Sequence, residues 1–246
     1  MKNELKHLPE FRELLHSYTL SQELLDDLNK IKLVLLSAPT SVGRNTVIRE
    51  LVKTGDYYFI VSDTTRNPRI NDGVMEQNGG PYWFKSEEEV IEGLKQGKYF
   101  GPAIIHNQQV SGIHVDEIIK TQKLNKIALT EMEVQGVDVL TEVKPDIVTI
   151  FMLPPSFDEW MRRLKQRGVM SRDEFKRRLT SAINEFDFAL NSNKFTFVIN
   201  EDFRHTAEQI QLLTNESKAD IEYQKKCIDL VKSLNQEVKN LFSTLD

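Results

Sequence analysis

Three shortages narrow the class of protein to which this chain belongs. Its 246 residues include a single cysteine, Cys227, which excludes an internal disulfide and a metal cluster built from several thiolates. No apolar stretch approaches the length that a membrane-spanning helix needs. Basic residues are a minority, with 32 Lys and Arg against 37 Asp and Glu and a net charge of −5, so a general nucleic-acid-binding face is not expected. These shortages predict a cytoplasmic protein that binds no nucleic acid and no membrane, and any anion site in it must use locally clustered arginines.

The clearest local pattern is Ile31–Thr46, IKLVLLSAPTSVGRNT, which predicts a buried strand, a tight loop and a helix. In the phosphate-loop pattern G-x-x-x-x-G-K-[ST], the glycines let backbone N–H groups approach the phosphates, the lysine reaches the β/γ-phosphates and the hydroxyl holds Mg²⁺. Here Ala38 replaces the first glycine and Gly43 is kept. Arg44 replaces the lysine and Asn45 the hydroxyl residue. On these residues alone, a phosphate site and an ordinary strand-turn-helix junction are equally open.

Arginines are concentrated in two later segments of this acidic chain. The first, Ser62–Arg69, has two arginines three positions apart around a proline-containing turn, with hydroxyls just upstream, which is a donor set suited to a phosphate. The second segment contains Arg162, Arg163, Arg167, Arg172, Arg177 and Arg178. A solvated helix face is one interpretation of that second cluster. A face directed at triphosphate oxygens accounts better for its contrast with the net charge.

Strand and helix patterns alternate through the middle of the chain. Apolar runs at Tyr57–Val61, Ile127–Leu129, Ile147–Leu153 and Phe195–Ile199 are separated by helical patterns, which predicts a largely parallel sheet. Apolar residues at helical spacing also mark both ends of the chain, at 1–30 and 216–246. Both ends are interpreted as appended amphipathic helices.

The order of several motifs resembles the guanylate kinase family. Collinear matches run from about residue 31 to 213 and comprise Ser62–Arg69 (S-x-T-T-R-x-P-R), Gly80–Phe84 (G-x-D-Y-x-F), Thr130–Gly136 (L-D-I-D-x-Q-G), Ile150–Ser156 (I-F-I-x-P-P-S), Arg163–Gly168 with Arg177–Leu179 (R-L-x-x-R-G…R-R-L) and Val198–Asp202 (V-I-V-N-D-D). The resemblance implies an α/β fold of the P-loop nucleoside monophosphate kinase type, with a parallel-sheet core. A guanylate kinase-like domain at 31–213 would contain a small monophosphate-binding insert at about 62–115 and a helical lid at about 163–180. An N-terminal helical extension, 1–30, and a C-terminal one, 214–246, would flank it.

The resemblance also implies a role for individual residues. ATP would be bound by Ser41, Val42, Gly43, Arg44, Asn45, Thr46 and Asn200. The monophosphate would be bound by Ser62, Arg66, Arg69, Tyr82 and Glu133. Catalysis is assigned to Arg44, Arg163, Arg167 and Arg178, because phosphoryl transfer depends mostly on positioning and spread positive charge. Asn45 and Glu131 would contact Mg²⁺.

The activity implied is transfer of the γ-phosphoryl group of ATP, with Mg²⁺, to a nucleoside monophosphate, GMP or dGMP by family resemblance. Counting from Tyr82, the family's guanine-reading Glu and Ser/Thr become Gly101 and Gly112, and an intervening aromatic becomes Val110. Weak discrimination between GMP and AMP is therefore expected. Two alternatives stay open: a binding module that has lost transfer, and a kinase for a different monophosphate. The terminal helices are expected to be separable from nucleotide binding and to offer surface for a homo-oligomer.

Overall fold

The computed structural model describes residues 5–71, 73–166, 168, 170–215 and 219–245. They divide into two compact units. The insert unit consists of the chain up to Lys32 together with Tyr58–Ala128. The core unit consists of Leu33–Tyr57 and of the chain from Leu129 onward. The domain boundaries expected from the sequence stay a prediction beside this division.

Strands and helices occur in the following order. The strands are β1 (Leu33–Ser37), β2 (Tyr57–Phe59), β3 (Asp63–Thr64), β4 (Ile70–Asn71), β5 (Val74–Met75), β6 (Trp83–Phe84), β7 (Tyr99–Ile105), β8 (Gln109–His114), β9 (Ile127–Glu131), β10 (Val148–Leu153) and β11 (Thr196–Ile199). The helices are α1 (Leu8–His16), α2 (Gln22–Asn29), α3 (Arg44–Lys53), α4 (Glu87–Lys95), α5 (Val115–Leu124), α6 (Val134–Val143), α7 (Phe157–Lys165), α8 (Arg172–Asn191), α9 (Phe203–Thr214) and α10 (Ile221–Ser243).

The larger sheet has the strand order β11-β10-β1-β9-β2. In the core unit β1 pairs in parallel with β10, which pairs in parallel with β11. All five residues of β1 are buried, as a parallel strand covered on both faces requires. The parallel sheet predicted from the alternating strand and helix patterns is confirmed.

A second sheet, of order β6-β3-β8-β7, forms the middle of the insert unit. Strands β7 and β8 make a hairpin whose turn residues, His106 and Asn107, both have positive φ, at 53° and 59°. The ladder has an irregularity between Phe100 and Ala103, where Gly101 lies at φ 61°. Such a bulge changes which side chains share a face, so positions beyond it cannot be assigned by counting.

The N-terminal helices are part of the insert unit. Phe11 of α1 is fully buried in an apolar cluster with Leu5, Val90, Ile91, Leu94, Tyr99 and Val110. In the core unit, α10 packs on the edge strand β11, where the Tyr223 hydroxyl accepts the Ile199 N–H at 3.0 Å. Within the stretches that the structure describes, no helix has the length and apolar character needed to cross a membrane.

Candidate functional site

The loop between β1 and α3 has the backbone of an anion site. Gly43 is the N-cap of α3, with φ at 108°, and no side chain of the described residues makes a capping hydrogen bond there. A Cβ at Gly43 would lie 2.6 Å from Asn200 Nδ2, so glycine is required there both for its φ and for space. Ser41 also has a positive φ, 67°. The first N–H groups of α3 therefore keep their capacity for an external anion, which the helix dipole favours.

Three side chains from two other segments of the core unit, α7 and the turn after β11, hold this loop by its carbonyl groups. Asn200 Nδ2 donates to Val42 O at 2.8 Å, and Arg163 Nη1 donates to the same oxygen at 2.9 Å. The buried Trp160 indole donates to Thr40 O at 2.8 Å. Sequence reasoning missed Trp160, although a tryptophan within the apolar stripe of α7 was the available signal. These contacts place Asn200 and Arg163 beside the predicted phosphate loop, as loop-holding side chains.

The predicted catalytic residue Arg44 carries an ion pair of its own. Its Nε lies 2.8 Å from Glu131 Oε2, although this N–H makes no hydrogen bond to a described residue. The side chains are 28% and 39% exposed, so both stay accessible to a ligand. Glu131, predicted to contact Mg²⁺, is thus the partner of the guanidinium that stands where the loop pattern has lysine.

Several buried polar atoms of the core unit have no hydrogen-bond partner among the described residues. They include Ser41 Oγ in the loop and Arg178 Nη1 on α8. Arg178 is anchored from its other side, because Nε donates to Glu174 Oε1 at 2.8 Å. Buried donors of this kind are what an arriving phosphate can satisfy. Arg167, also predicted to be catalytic, lies outside the described residues.

Glu185 contributes a buried carboxylate to the same unit. Its Oε1 accepts the Ser181 hydroxyl at 2.8 Å, while Oε2 has no partner in the described part of the chain. Burial raises the pKa of Glu185 to about 7; the Ser181 hydrogen bond and the charge of Arg44 oppose that rise, and Glu133 adds to it. Sequence reasoning did not single out Glu185. Its place on α8, two turns after Arg178, was the available signal.

Protein ligands alone do not form a metal cage here. Among the described residues, no three His, Cys, Asp or Glu side chains are grouped closely enough to hold an ion. Mg²⁺ commonly takes only one or two protein oxygens and completes its shell with phosphate and water. The donor set of Asn45 and Glu131 is compatible with that pattern.

In the insert unit, Arg66 is the best-defined cationic group. Its Nη1 and Nη2 donate to the two carboxylate oxygens of Glu76 at 2.6 and 3.0 Å, and both side chains are about nine-tenths buried. The guanidinium stacks over the rings of Tyr82, at 4.8 Å, and Phe84, at 5.3 Å. Glu76 Oε2 also accepts the Arg69 N–H at 2.9 Å. The structure therefore brings Arg66, Arg69 and Tyr82 together around an acidic residue that sequence reasoning missed.

Strand register identifies which hydroxyls share a face. Thr64 pairs with Ser111, and Asp63 pairs with Gly112. Directly opposed residues point to the same side of a sheet, and successive residues alternate. Ser111 Oγ donates to Thr64 Oγ1 at 2.9 Å, whereas Gly112 lies on the face of Asp63. Counting from Tyr82 had selected Gly112 for the hydroxyl position, but it is Ser111, and not Gly112, that shares the face of Thr64.

The remaining sequence-predicted residues divide between the units. Ser62 adjoins β3, and its carbonyl accepts the Trp83 N–H at 3.0 Å. Thr46, in the first turn of α3, accepts a hydrogen bond from Arg49 at 3.3 Å. Glu133 belongs to the core unit and stands at the N-cap of α6 without a side-chain capping bond.

A parallel sheet whose first strand leads through a glycine-capped loop to an uncapped helix defines the phosphate-loop class of nucleotide-binding α/β proteins. The family model for guanylate kinase matches residues 30–216. A guanylate kinase of Corynebacterium jeikeium is 33% identical over 178 residues, which cover 72% of this chain and 92% of that protein. The guanylate kinase of Clostridium tetani is 29% identical over 201 residues, or 81% and 93% of the two chains. The crystal structure of guanylate kinase from Anaplasma phagocytophilum shares the fold, with a TM-score of 0.53 and 23% identity over 78% of this chain and 87% of that one.

The chain belongs to the guanylate kinase family and is a phosphotransferase of the nucleoside monophosphate kinase class. The resemblance proposed from its motifs is confirmed, as is the P-loop kinase fold.

Proposed function

We propose that this protein transfers the γ-phosphoryl group of ATP to GMP or dGMP. In the reaction, the bond between the γ-phosphorus and its bridging oxygen breaks, and a bond to an oxygen of the acceptor phosphate forms, leaving two nucleoside diphosphates. The observation that carries the proposal is the loop at 38–43, whose Gly43 φ of 108° opens the uncapped N-terminus of α3. The names of the relatives support GMP as the acceptor.

In the donor half, the chain's own residues position and stabilise charge. The N–H groups at the start of α3 bind phosphate oxygens, and Arg44 and Arg178 spread positive charge over the transferring group. Ser41 Oγ and Arg178 Nη1 gain partners when phosphate binds. Asn200 and Arg163 keep the loop in shape through Val42 O.

Mg²⁺ would neutralise charge on the phosphates when it is bound with ATP. The residues suited to contact it are Asn45 and Glu131, with Glu131 exchanging part of its interaction with Arg44. A carboxylate and an amide oxygen are ligand types that this ion accepts.

In the acceptor half, Arg66, Arg69 and Tyr82 hold the monophosphate's phosphate. The Arg66 guanidinium is oriented before any ligand binds, because Glu76 and the ring of Tyr82 hold it in place. Ser111 supplies a hydroxyl for the remainder of the nucleotide, and the fully buried Thr64 aligns it by accepting its hydrogen bond. No carboxylate stands at Gly101, so the selectivity for guanine over adenine is expected to be weaker than the family pattern would produce.

One observation favours a second candidate, a binding module with impaired transfer. Arg44 is held by Glu131 at 2.8 Å, so part of its charge is compensated before nucleotide binds. A planar guanidinium also fits a compact phosphate cradle less well than an ammonium.

The test is release of ADP from ATP and Mg²⁺, coupled to a fluorescent readout, across all common ribo- and deoxyribonucleoside monophosphates. Turnover with GMP or dGMP above that with the others supports the proposal. Calorimetry with ATP and with GMP runs in parallel. Binding of both without ADP release would establish the impaired module, and preference for another monophosphate would replace GMP as the acceptor.

A further inference from the structure

We propose that the N-terminal segment, residues 5–21, is a positioning element of the acceptor half that holds strands β7, β8 and β3 in register. This inference rests on the proposed function for the identity of the bound monophosphate. The segment precedes residue 30, where the family match begins. The proposal departs from the expectation, drawn from the sequence, that the N-terminal helices are separable from nucleotide binding.

The first observation is that the segment covers a sheet edge. Strand β7 lies at the end of the order β6-β3-β8-β7, so its outer N–H and C=O groups have no neighbouring strand in that sheet. The Tyr18 hydroxyl closes this edge at Tyr99, donating to the Tyr99 carbonyl at 2.6 Å and accepting the Tyr99 N–H at 2.8 Å. One hydroxyl therefore replaces both hydrogen bonds that a neighbouring strand would make.

Backbone hydrogen bonds extend the cover in both directions from Tyr99. Ser21 N donates to Gly97 O at 3.0 Å, before β7 begins. Leu5 N donates to Asn107 O at 3.2 Å, in the hairpin turn after β7 ends, and Arg12 Nη2 reaches Asn107 Oδ1 at 3.3 Å. The segment thus contacts the chain just before β7, the first residue of β7, Tyr99, and the hairpin turn that follows β7.

The second observation is a hydrogen-bond relay toward β3. The Tyr99 hydroxyl donates to Asp63 Oδ2 at 2.8 Å, and both side chains are buried. Asp63 precedes Thr64, whose hydroxyl accepts from Ser111 in the candidate acceptor site. Two tyrosines therefore join the segment that follows α1 to β3, the strand that carries Thr64.

The third observation is packing beneath β8. Phe11 and Leu5 lie in one buried cluster with Val110, the residue next to Ser111. Val110 N donates to Thr65 Oγ1 at 2.9 Å, and its carbonyl accepts the Thr65 N–H at 3.0 Å. Since Val110 is clamped between the segment and Thr65, loosening α1 frees the strand pair on which Ser111 and Thr64 are aligned.

The test replaces the Tyr18 hydroxyl in the full-length protein, as Tyr18→Phe. Without the hydroxyl, the N–H and C=O groups of Tyr99 lose their hydrogen-bond partner at the sheet edge, and the alignment of β3 and β8 is weakened. Affinity for GMP, measured by calorimetry, should fall about fivefold to tenfold, while affinity for ATP stays within about twofold. Hydrogen exchange of the ligand-free protein should quicken in peptides covering 62–66 and 109–114. Arg12→Ala should show the same pattern at smaller amplitude.

Tyr223→Phe is the matched control, because it removes a hydroxyl that bonds to the backbone of an edge strand in the core unit. It should leave the GMP affinity and the exchange of the 62–66 and 109–114 peptides unchanged. Equal loss of GMP and ATP affinity in Tyr18→Phe would show general destabilisation and overturn the inference, as would unchanged GMP affinity. If the wild-type protein binds no GMP, the proposed function fails, and the ligand-free exchange decides the inference: quicker exchange supports it and unchanged exchange rejects it.

Discussion

The insert unit and the core unit differ in how they satisfy buried polar groups. In the insert unit, Arg66 is matched by Glu76, Asp63 by Tyr99, and Glu117 by three donors, from Tyr58, Val61 and Trp83. In the described part of the chain, the buried side-chain atoms that lack a hydrogen bond all belong to the core unit. The insert unit is thus organised in advance by internal carboxylates. The core unit leaves buried polar atoms open, and in the proposed function a bound phosphate supplies partners for two of them, Ser41 Oγ and Arg178 Nη1.

This difference has energetic consequences. A buried donor or acceptor without a partner costs about 1–3 kcal/mol, which ligand binding can recover. An ion pair that is already formed gains no free energy of this kind when a ligand binds. It does reduce the reorganisation of side chains that binding requires. ATP should therefore stabilise the protein more than GMP does, for equal occupancy, and variants should separate the two halves.

The largest effect is expected for Arg66→Ala, which removes the preformed ion pair between Arg66 and Glu76 in the insert unit. Truncation removes the guanidinium that neutralises the buried Glu76 carboxylate, a change that typically costs about 3–5 kcal/mol of stability. GMP affinity should fall at least tenfold, because a charge-assisted contact worth about 1.5–3 kcal/mol is also lost. Thermal unfolding and calorimetry measure the two losses.

The double variant Arg66→Ala with Glu76→Ala provides the control for that result. It should recover part of the stability and none of the GMP affinity, since the buried carboxylate that lost its guanidinium is gone but the phosphate donor stays absent. Unchanged GMP affinity in Arg66→Ala would remove Arg66 from the acceptor site.

The next effect concerns the core unit, where Glu185 should make the stability of the protein depend on pH. The pKa of Glu185 is about 7 in the folded protein, against an ordinary value of 4.5. Between these values the unfolded chain has released this proton while the folded chain keeps it, so the contribution of Glu185 to stability falls as pH rises from 4.5 to 7 and is then constant. The total loss is about 3 kcal/mol, and Glu185→Gln should remove it.

Denaturant unfolding from pH 4.5 to 8 measures this slope. Glu208→Gln, at an exposed position on α9, should keep the wild-type profile. A Glu185→Gln protein with the wild-type slope would show that Glu185 is not the titrating group.

A smaller effect separates two adjacent arginines that share one carboxylate. Arg162 and Arg163 both donate to Glu159, but Arg163 also donates to the carbonyls of Val42 and Asn200. Arg163→Ala should loosen the loop between β1 and α3 and lower the affinity for ATP about tenfold. A charge-assisted contact worth about 1.5 kcal/mol accounts for a loss of that size. Arg162→Ala, which removes a side chain 56% exposed, should change ATP affinity less than twofold, as for a surface pair worth about 0.2–1 kcal/mol. Similar losses in both would mean that Glu159, and not the loop, transmits the effect.

The smallest effect tests whether GMP binds on the face of the sheet that carries Thr64 and Ser111. Ser111→Ala removes one hydroxyl of the pair with Thr64 and should weaken GMP about threefold to fivefold, as expected for a hydrogen bond worth about 1 kcal/mol. Gly112→Ser should not raise the preference for GMP over AMP, because its Cβ would lie 3.1 Å from Pro102 Cα on the other face. Direct binding of GMP and AMP to both variants decides this, and a gain of guanine preference in Gly112→Ser would return that position to the site.

The sequence by itself determined the features that depend on local pattern. Apolar runs of strand length alternating with helical spacing predicted the parallel sheet, and a series of motifs in fixed order predicted the family. Gly43, the one glycine kept from the loop pattern, stands where its φ of 108° and the close approach of Asn200 both favour glycine. Arg66, Arg69 and Tyr82 were predicted together and lie together.

Tertiary structure alone decided which groups share a face and which charges are already paired. Counting along the chain selected Gly112 for the hydroxyl position, whereas strand register places Ser111, and not Gly112, on the face of Thr64, because successive residues of a strand point to opposite sides. Glu76 and Arg66 are ten positions apart and meet only when the β4–β5 hairpin brings the chain back on itself. Tyr18 and Tyr99 are separated by 81 positions, so no local pattern could show that the segment between α1 and α2 closes the edge of the second sheet at Tyr99.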